Sequence, residues 1–445
     1  MKTQLLLAVT IGVWTGRLLA ADESGLETLS LARAHEIALR NHPSIAAAKY
    51  LAQAADEVVR ETRAGAWPQI NLYGTAVDAG SDNTRILAGG INNPSVLDRT
   101  AVGAGLTQVI TDFGRTPNLI ASSGLQAQAA NESAAATTAQ VLLDVDRNYF
   151  TVLQAQALER VAQQTVDTRQ LLLDRVSVLA ANKLKSELDV SFARVALAEG
   201  TLLLQNSRNN LDSSRAALSA ALGYRELQQF RLVDEAPATS EVATDLQNLI
   251  DDALRNRPEL VSLADQRDAA LRLAQAQHDA KFPTLSVGLV AGGALSRDAR
   301  LPENYSAGGI QLTFPLFAGG LYAARQHEAE LRAEAAAQGL AGAEDSIARD
   351  VRIAWLNVND ALQRVQTTQQ LRAYAAQAYE LAQARYDAGS SSIVELSQAQ
   401  LALSSAEIAN AGARYNLLIQ QATLSYQTGE SLSGLRGSEL AAPRQ

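Results

Sequence analysis

Two halves of this chain are copies of one another. Ala38-Leu39-Arg40-Asn41-His42-Pro43 returns 215 positions on, as Ala253-Leu254-Arg255-Asn256-Arg257-Pro258. Trp67-Pro68 returns at the same distance as Phe282-Pro283. Further along the spacing is 206: Gly114 matches Gly320, Tyr149 Trp355, Ala196-Leu197 Ala402-Leu403, Arg208 Arg414 and Gly223 Gly429. A register held over more than a hundred residues requires a duplicated structural unit with a pseudo-twofold plan. The nine-residue change between 215 and 206 falls between Pro68 and Gly114. Residues 80–99, rich in Gly, Asn, Ser and Asp, read there as a longer loop in the first copy.

Each copy contains helices too long for a globular core. From 118 to 180 there is no Pro and one Gly, Gly124. At 1.5 Å per residue such a helix spans about 95 Å. The chain turns near Asn182-Lys183 and returns over 187–222. The second copy runs from Leu321 to Ala388, turns at Gly389-Ser390-Ser391-Ser392 and returns to about Thr428. Much of the 47% apolar content is Ala, a strong helix former of small volume. Helices of this kind pack side by side with close backbones, along a tube or coiled coil. Ahead of them each copy opens with a shorter helix. In the first, Ser30 is the expected N-cap and Pro43 a break within Leu31 to Arg63.

Between the short and long helices the periodicity switches to two. Ile70, Leu72 and Ala76 alternate with Asn71, Tyr73 and Thr75, and Val102, Ala104 and Leu106 with glycines and Thr107. Leu285, Val287 and Leu289, then Ile310, Leu312 and Phe314, repeat the pattern. These are two β-hairpins, with strands at about 68–79, 100–111, 284–294 and 306–316. Strands of about ten residues cross an outer membrane when tilted. Trp67 and Phe282 on entry, and Phe113 and Phe317 on exit, all lie where the helices attach, which suits an interfacial aromatic belt. Four strands cannot close a barrel, and an open edge in hydrocarbon costs several kcal/mol per unpaired group. Closure needs about eight strands. Two chains would give a filled barrel and three a barrel with a lumen, so a homo-oligomer is required and a trimer is favoured once there is a channel.

Met1 to about Ala21 has the charge and apolar stretch of a secretory signal, and 22–223 forms the first repeat, with its helical hairpin at 117–222. Residues 224–249 connect to the second repeat at 250–429, with its hairpin at 321–428. Residues 430–445 read as a flexible tail. Beyond the signal no apolar run of 18 residues exists to make a transmembrane helix. A net charge of −9 argues against a nucleic-acid partner. The chain has no Cys, and none of its four His lies three or four residues from another, so thiolate chemistry and helical His pairs for a metal are excluded. Gly103-x-Gly105 lacks the third glycine of a dinucleotide loop and sits in a strand, and no phosphate-binding G-x-x-x-x-G-K-[ST] occurs. The reading is therefore of a non-enzyme without a cofactor.

The chain resembles the TolC-type outer-membrane efflux duct family. The resemblance covers nearly all of residues 25–430. It is carried by Arg257-Pro258-Glu259-Leu260, Leu106-Thr107-Gln108, Asp112-Phe113-Gly114-Arg115, Phe314-Pro315-Leu316-Phe317-Ala318-Gly319-Gly320, and Tyr386-Asp387-Ala388-Gly389 followed by Ile393-Val394-Glu395-Leu396. It implies a mostly α fold with a small membrane β-barrel portion: a trimeric twelve-stranded barrel in the outer membrane of a Gram-negative bacterium, on a twelve-helix barrel in the periplasm. It also implies a passive exit duct of a tripartite efflux or type I secretion system. Such a duct serves a periplasmic adaptor (membrane fusion) protein and an inner-membrane transporter of RND or ABC type, and small-molecule (drug or metal) efflux is favoured over protein secretion. The competing reading is a pore-free periplasmic or surface coiled-coil scaffold. The absence of Cys departs from members with a lipid anchor. Ser391 and Gln398 stand where the best-known member has Arg and Asp that close and line the pore.

The hairpin tips are the candidate site. Ser186-x-x-Asp189 and Ser392-x-x-Glu395 are equivalent positions, and both suit helix capping. Three copies of each would also set six carboxylates around a narrow mouth, favouring cations. Glu395, Asp189, Gln398 and Tyr386 are thus the aperture candidates. Lys183, Leu184, Ser186, Gly389, Ser391 and Ser392, at the exposed hairpin ends, are the candidates for adaptor contact.

Overall fold

The computed structural model describes residues 27–79, 96–234 and 245–430. The signal segment, the tail and most of the 80–99 loop lie outside these residues, as does 235–244 within the inter-repeat connection. In chain order the elements are β1 (Glu27–Leu29), α1 (Leu31–Asn41), α2 (Pro43–Ala64), β2 (Gln69–Val77), β3 (Arg99–Thr111), α3 (Arg115–Ala181), α4 (Glu187–Ala221), β4 (Phe230–Leu232), α5 (Leu246–Asn256), α6 (Pro258–Asp279), β5 (Thr284–Arg297), β6 (Asn304–Thr313), α7 (Leu321–Asp387) and α8 (Ile393–Thr428). Both α3 and α7 have 67 residues. None of the helices among the described residues is long and apolar enough to cross a membrane.

The duplication is written into the backbone. Every described residue with positive φ has a counterpart 206 positions away: Phe113 with Gly319, Gly114 with Gly320, Lys183 with Gly389 and Gly223 with Gly429. Two of the four pairs follow the two long helices or their return helices, where a left-handed residue ends a helix by letting the next amides bond backward. At the first tip, Lys183 N–H donates to Ala180 O and Leu184 N–H to Leu179 O; at the second, Gly389 donates to Tyr386 O and Ser390 to Arg385 O. Of Asn182 and Lys183, where the chain turns, Asn is the residue type that better tolerates a left-handed conformation. Instead Lys183 takes it, at φ 61°, and Asn182 turns its side-chain amide to Val178 O at 2.8 Å.

Residues 43–143, 242–362 and 420–430 form one unit among the described residues. It holds an antiparallel sheet in the order β2-β3-β5-β6, so the two hairpins join through β3 and β5 and leave β2 and β6 as edges. Ile70 pairs with Leu106, which pairs with Leu289. Leu72, Ile310 and Leu312 on the same face are 85%, 77% and 65% exposed. The other face carries Asn71, Tyr73, Thr75, Gly103, Gly105, Ser286 and Gln311, interspersed with Val109 and Val290. A sheet with such an apolar face left uncovered is not finished by its own chain. Helix packing in this unit centres on Leu249, Ile250, Ala253, Leu260, Leu340, Ile347 and Val351, against which Trp355 is half-buried. Arg257, 6% exposed, ties the start of α6 to the end of α8: it donates to Gln427 Oε1 at 2.6 Å, lies over the Tyr426 ring at 5.0 Å and pairs with Glu259. Tyr426 donates to Glu259 at 3.0 Å.

The second unit comprises described residues 27–42, 144–234 and 363–419. Here β1 and β4 form a short parallel pair, Glu27 opposite Phe230 and Leu29 opposite Leu232. Tyr149 on α3, 2% exposed, directs its hydroxyl at Leu29 O (2.9 Å) and Val233 O (2.8 Å), which anchors that pair to the helix. Ser30 caps α1 as its position suggested, accepting from Arg33 N–H at 3.2 Å. Arg169 of α3 is buried over Gly200 of α4 and donates to Ala196 O at 2.5 Å. The equivalent positions in α7 and α8 are Ala375 and Ala406, so this clamp belongs to the first hairpin alone.

Candidate functional site

The tips of both helical hairpins lie in the second unit, so their geometry forms one description. Ser186 caps α4, and Asp189 completes the capping box: Asp189 N–H donates to Ser186 Oγ (3.2 Å), and Ser186 N–H donates to Asp189 Oδ2 (3.0 Å). Ser392 makes the equivalent bond from Glu395 N–H at 3.3 Å. The acids then diverge. Glu395 reaches across its own turn and accepts from Arg385 Nη1 at 2.6 Å, so Asp189 serves its helix start and Glu395 ties the two arms of the second hairpin together. Arg175 of α3 adds an ion pair to Asp387 of α7 at 2.8 Å, which joins the two hairpins.

Tyr386 sits among these charges but is not one of the surface groups. It is 3% exposed and packs in a cluster with Val176, Val190, Ala382, Ile393 and Leu396. Lys185 Nζ lies 4.1 Å from its ring centroid, a cation–π contact. Among the described residues its hydroxyl has no hydrogen-bond partner. Burial, and then the Asp189 charge, push the phenol above its ordinary pKa. Lys183, Leu184, Ser186, Gly389 and Ser392 are exposed, Leu184 by 70%. Gln398 is exposed on α8, whereas Ser391 is partly covered and its buried hydroxyl oxygen finds no partner among the described residues. Beside the tips, Leu171, Val178, Tyr379 and Leu396 line a largely apolar hollow of about 550 Å³.

Of the aperture candidates only Tyr386 lies in the packed cluster; Asp189 and Glu395 hold the helix starts beside it, and the adaptor candidates other than Ser391 are exposed. Sequence reasoning missed Arg175, Lys185, Arg385 and Asp387. The repeat could not reveal three of them, because positions equivalent to Arg175, Arg385 and Asp387 are Leu381, Leu179 and Ala181. The four aromatics on the strand ends are all exposed: Trp67 by 67%, Phe113 by 56%, Phe282 by 44% and Phe317 by 91%. Phe113 and Phe282 stand 6.4 Å apart, centroid to centroid. No group of His, Asp and Glu among the described residues is arranged to hold a metal ion.

A family model described as outer membrane efflux protein matches residues 35–224 and 249–430. The chain belongs to the outer membrane efflux protein family. It is 26% identical to outer membrane protein TolC of Salmonella enteritidis, over 96% of this chain and 87% of that protein. The same fold recurs in CusC, at a TM-score of 0.78 and 19% identity, covering 90% of this chain and 92% of that one. The CmeC outer membrane channel of Campylobacter jejuni shares it at 0.77 and 16% identity, covering 90% and 86%. The chain is an outer-membrane efflux channel, and its family are transport proteins rather than enzymes.

Proposed function

We propose that three copies of this chain pool their sheets into one twelve-stranded barrel in the outer membrane, continued by twelve helices in the periplasm, and that the resulting duct passively conducts substrates out of the cell. One observation carries this reading. The sheet of each chain ends at two strands open on one side, β2 and β6, and exposes an apolar face. Lipid tolerates neither an open edge nor an unpaired amide, and a barrel removes both. The apolar face then meets hydrocarbon and the Tyr- and Gly-bearing face lines the lumen. Trp67, Phe113, Phe282 and Phe317, exposed at the helix-proximal ends of the strands, become the interfacial belt. Family membership supports the same function. It also tells against the pore-free scaffold, which has no need of an uncovered apolar sheet.

In this reading the tips are the periplasmic mouth. Glu395 and Asp189 ring the aperture with Gln398, while Tyr386 packs behind them. Lys183, Leu184, Ser186, Gly389, Ser391 and Ser392 meet a periplasmic adaptor protein, which couples the duct to an inner-membrane RND or ABC transporter. Small-molecule cargo fits better than secreted polypeptide, on the family's efflux description. The test is fractionation: the protein should appear in outer-membrane fractions as a species whose mobility changes on heating, and should retrieve an adaptor on cross-linking. A soluble monomer in the periplasmic fraction would refute it.

A further inference from the structure

We infer that the barrel carries an internal belt of tyrosines that contacts planar aromatic, negatively charged cargo as it leaves. The inference rests on the barrel reading given above. Tyr73 on β2 pairs with Gly103 on β3, Gly103 with Gly292 on β5, and Gly292 with Tyr305 on β6. One row across the sheet therefore reads Tyr-Gly-Gly-Tyr, with the aromatics on both edge strands and glycines between them. This row lies on the polar face, opposite Leu72 and Ile310.

The rings lean over the glycines. A Cβ on Gly292 would lie 2.6 Å from Tyr305 Cζ, and one on Gly103 would collide with Tyr305 Oη. A Cβ on Gly105 would lie 2.9 Å from Tyr73 Cε2. Any side chain at these positions would lift the rings off the sheet, so the glycines let the phenols lie across the backbone and present a flank to the lumen. Tyr305 is 39% exposed and Tyr73 55%. Between them is a hollow of about 320 Å³, which Arg99 and Leu301 also line, within the size range of small-molecule sites, about 300 to 1,000 Å³. Aromatic walls favour flat rings and the guanidinium favours an anion. In a ring of chains β6 of one copy meets β2 of the next, so the Tyr305 and Tyr73 edges adjoin at each seam, six tyrosines to a trimer.

The absence of Cys from the chain makes the test clean. Tyr305→Cys and Ile310→Cys are made singly in the full chain, reconstituted in liposomes and treated with a charged, membrane-impermeant thiol reagent. Labelling at 305 and protection at 310 is expected. The reverse would overturn both the belt and the lumen orientation. In planar bilayers, naphthalenesulfonate should block the ionic current, and Tyr73→Ala with Tyr305→Ala should weaken the block about tenfold, the size of one lost aromatic contact. Tyr305→Phe, which keeps the ring, should retain the block. Labelling at 305 together with an unchanged block in the double alanine variant would overturn the belt and leave the channel standing.

Discussion

At residue scale, the left-handed positions are where single side chains decide most. Gly223 ends α4 at φ 86°, and a Cβ there would lie 2.8 Å from the Asn41 carbonyl group. Gly223→Ala adds a backbone clash to an unfavourable φ and should cost about 1–3 kcal/mol, read as a fall in the denaturant midpoint. Lys183 occupies the same kind of position without the excuse of being glycine, at φ 61°. The left-handed penalty of about 1–2 kcal/mol exceeds the entropy cost of glycine, so Lys183→Gly should raise the midpoint modestly. An unchanged midpoint would show that Lys183 gains a compensating contact. Glu395 is held by Arg385 in its own hairpin at 2.6 Å, yet its side chain remains 42% exposed. In planar bilayers Glu395→Ala should lower the cation-to-anion permeability ratio. An unchanged ratio would remove it from the aperture. None of the tip ion pairs was legible beforehand, because they join residues that differ between the two repeats. The capping role of Ser186 and Asp189 was legible, since it needs only a three-residue spacing.

Elements were easier to read than contacts. A fixed register of 206 makes α3 and α7 the same element twice, and both come out at 67 residues. Periods of two and 3.6 separate the strands from the helices without reference to packing. The β1–β4 pair escaped because three-residue strands show no alternation, and because it is parallel and joins the start of the first repeat to the connection that follows it. Its anchor is Tyr149. Tyr149→Phe removes a hydroxyl aimed at the buried Leu29 carbonyl and the partly buried Val233 carbonyl, at 2.9 and 2.8 Å. It should lower stability by about 1–2 kcal/mol, visible as faster hydrogen exchange at residues 27–29 and 230–232. The end of α8 is pinned by Tyr426, whose pKa is pushed up to about 12, by burial first and then by Glu259. The folded protein therefore holds the neutral phenol more firmly than the unfolded chain does. That stability is fully present below pH 10 and is lost as pH rises towards 12. Tyr426→Phe should flatten this alkaline loss in a denaturation series, and an identical pH profile would contradict the assignment.

The whole molecule is governed by what one chain lacks. Its helices bury Ala and Val against one another, but its sheet has open edges and an exposed apolar face, and the proposed barrel of copies would meet both deficits. The strand count alone carried that argument at the level of sequence; the register adds which face is apolar and which strands are the open edges. The most direct measurement is native mass spectrometry of the protein extracted from outer membranes in mild detergent. Complexes of three chains, falling to single chains only on heating, are the expected result. A dominant single chain or pair that keeps its fold would contradict closure in threes.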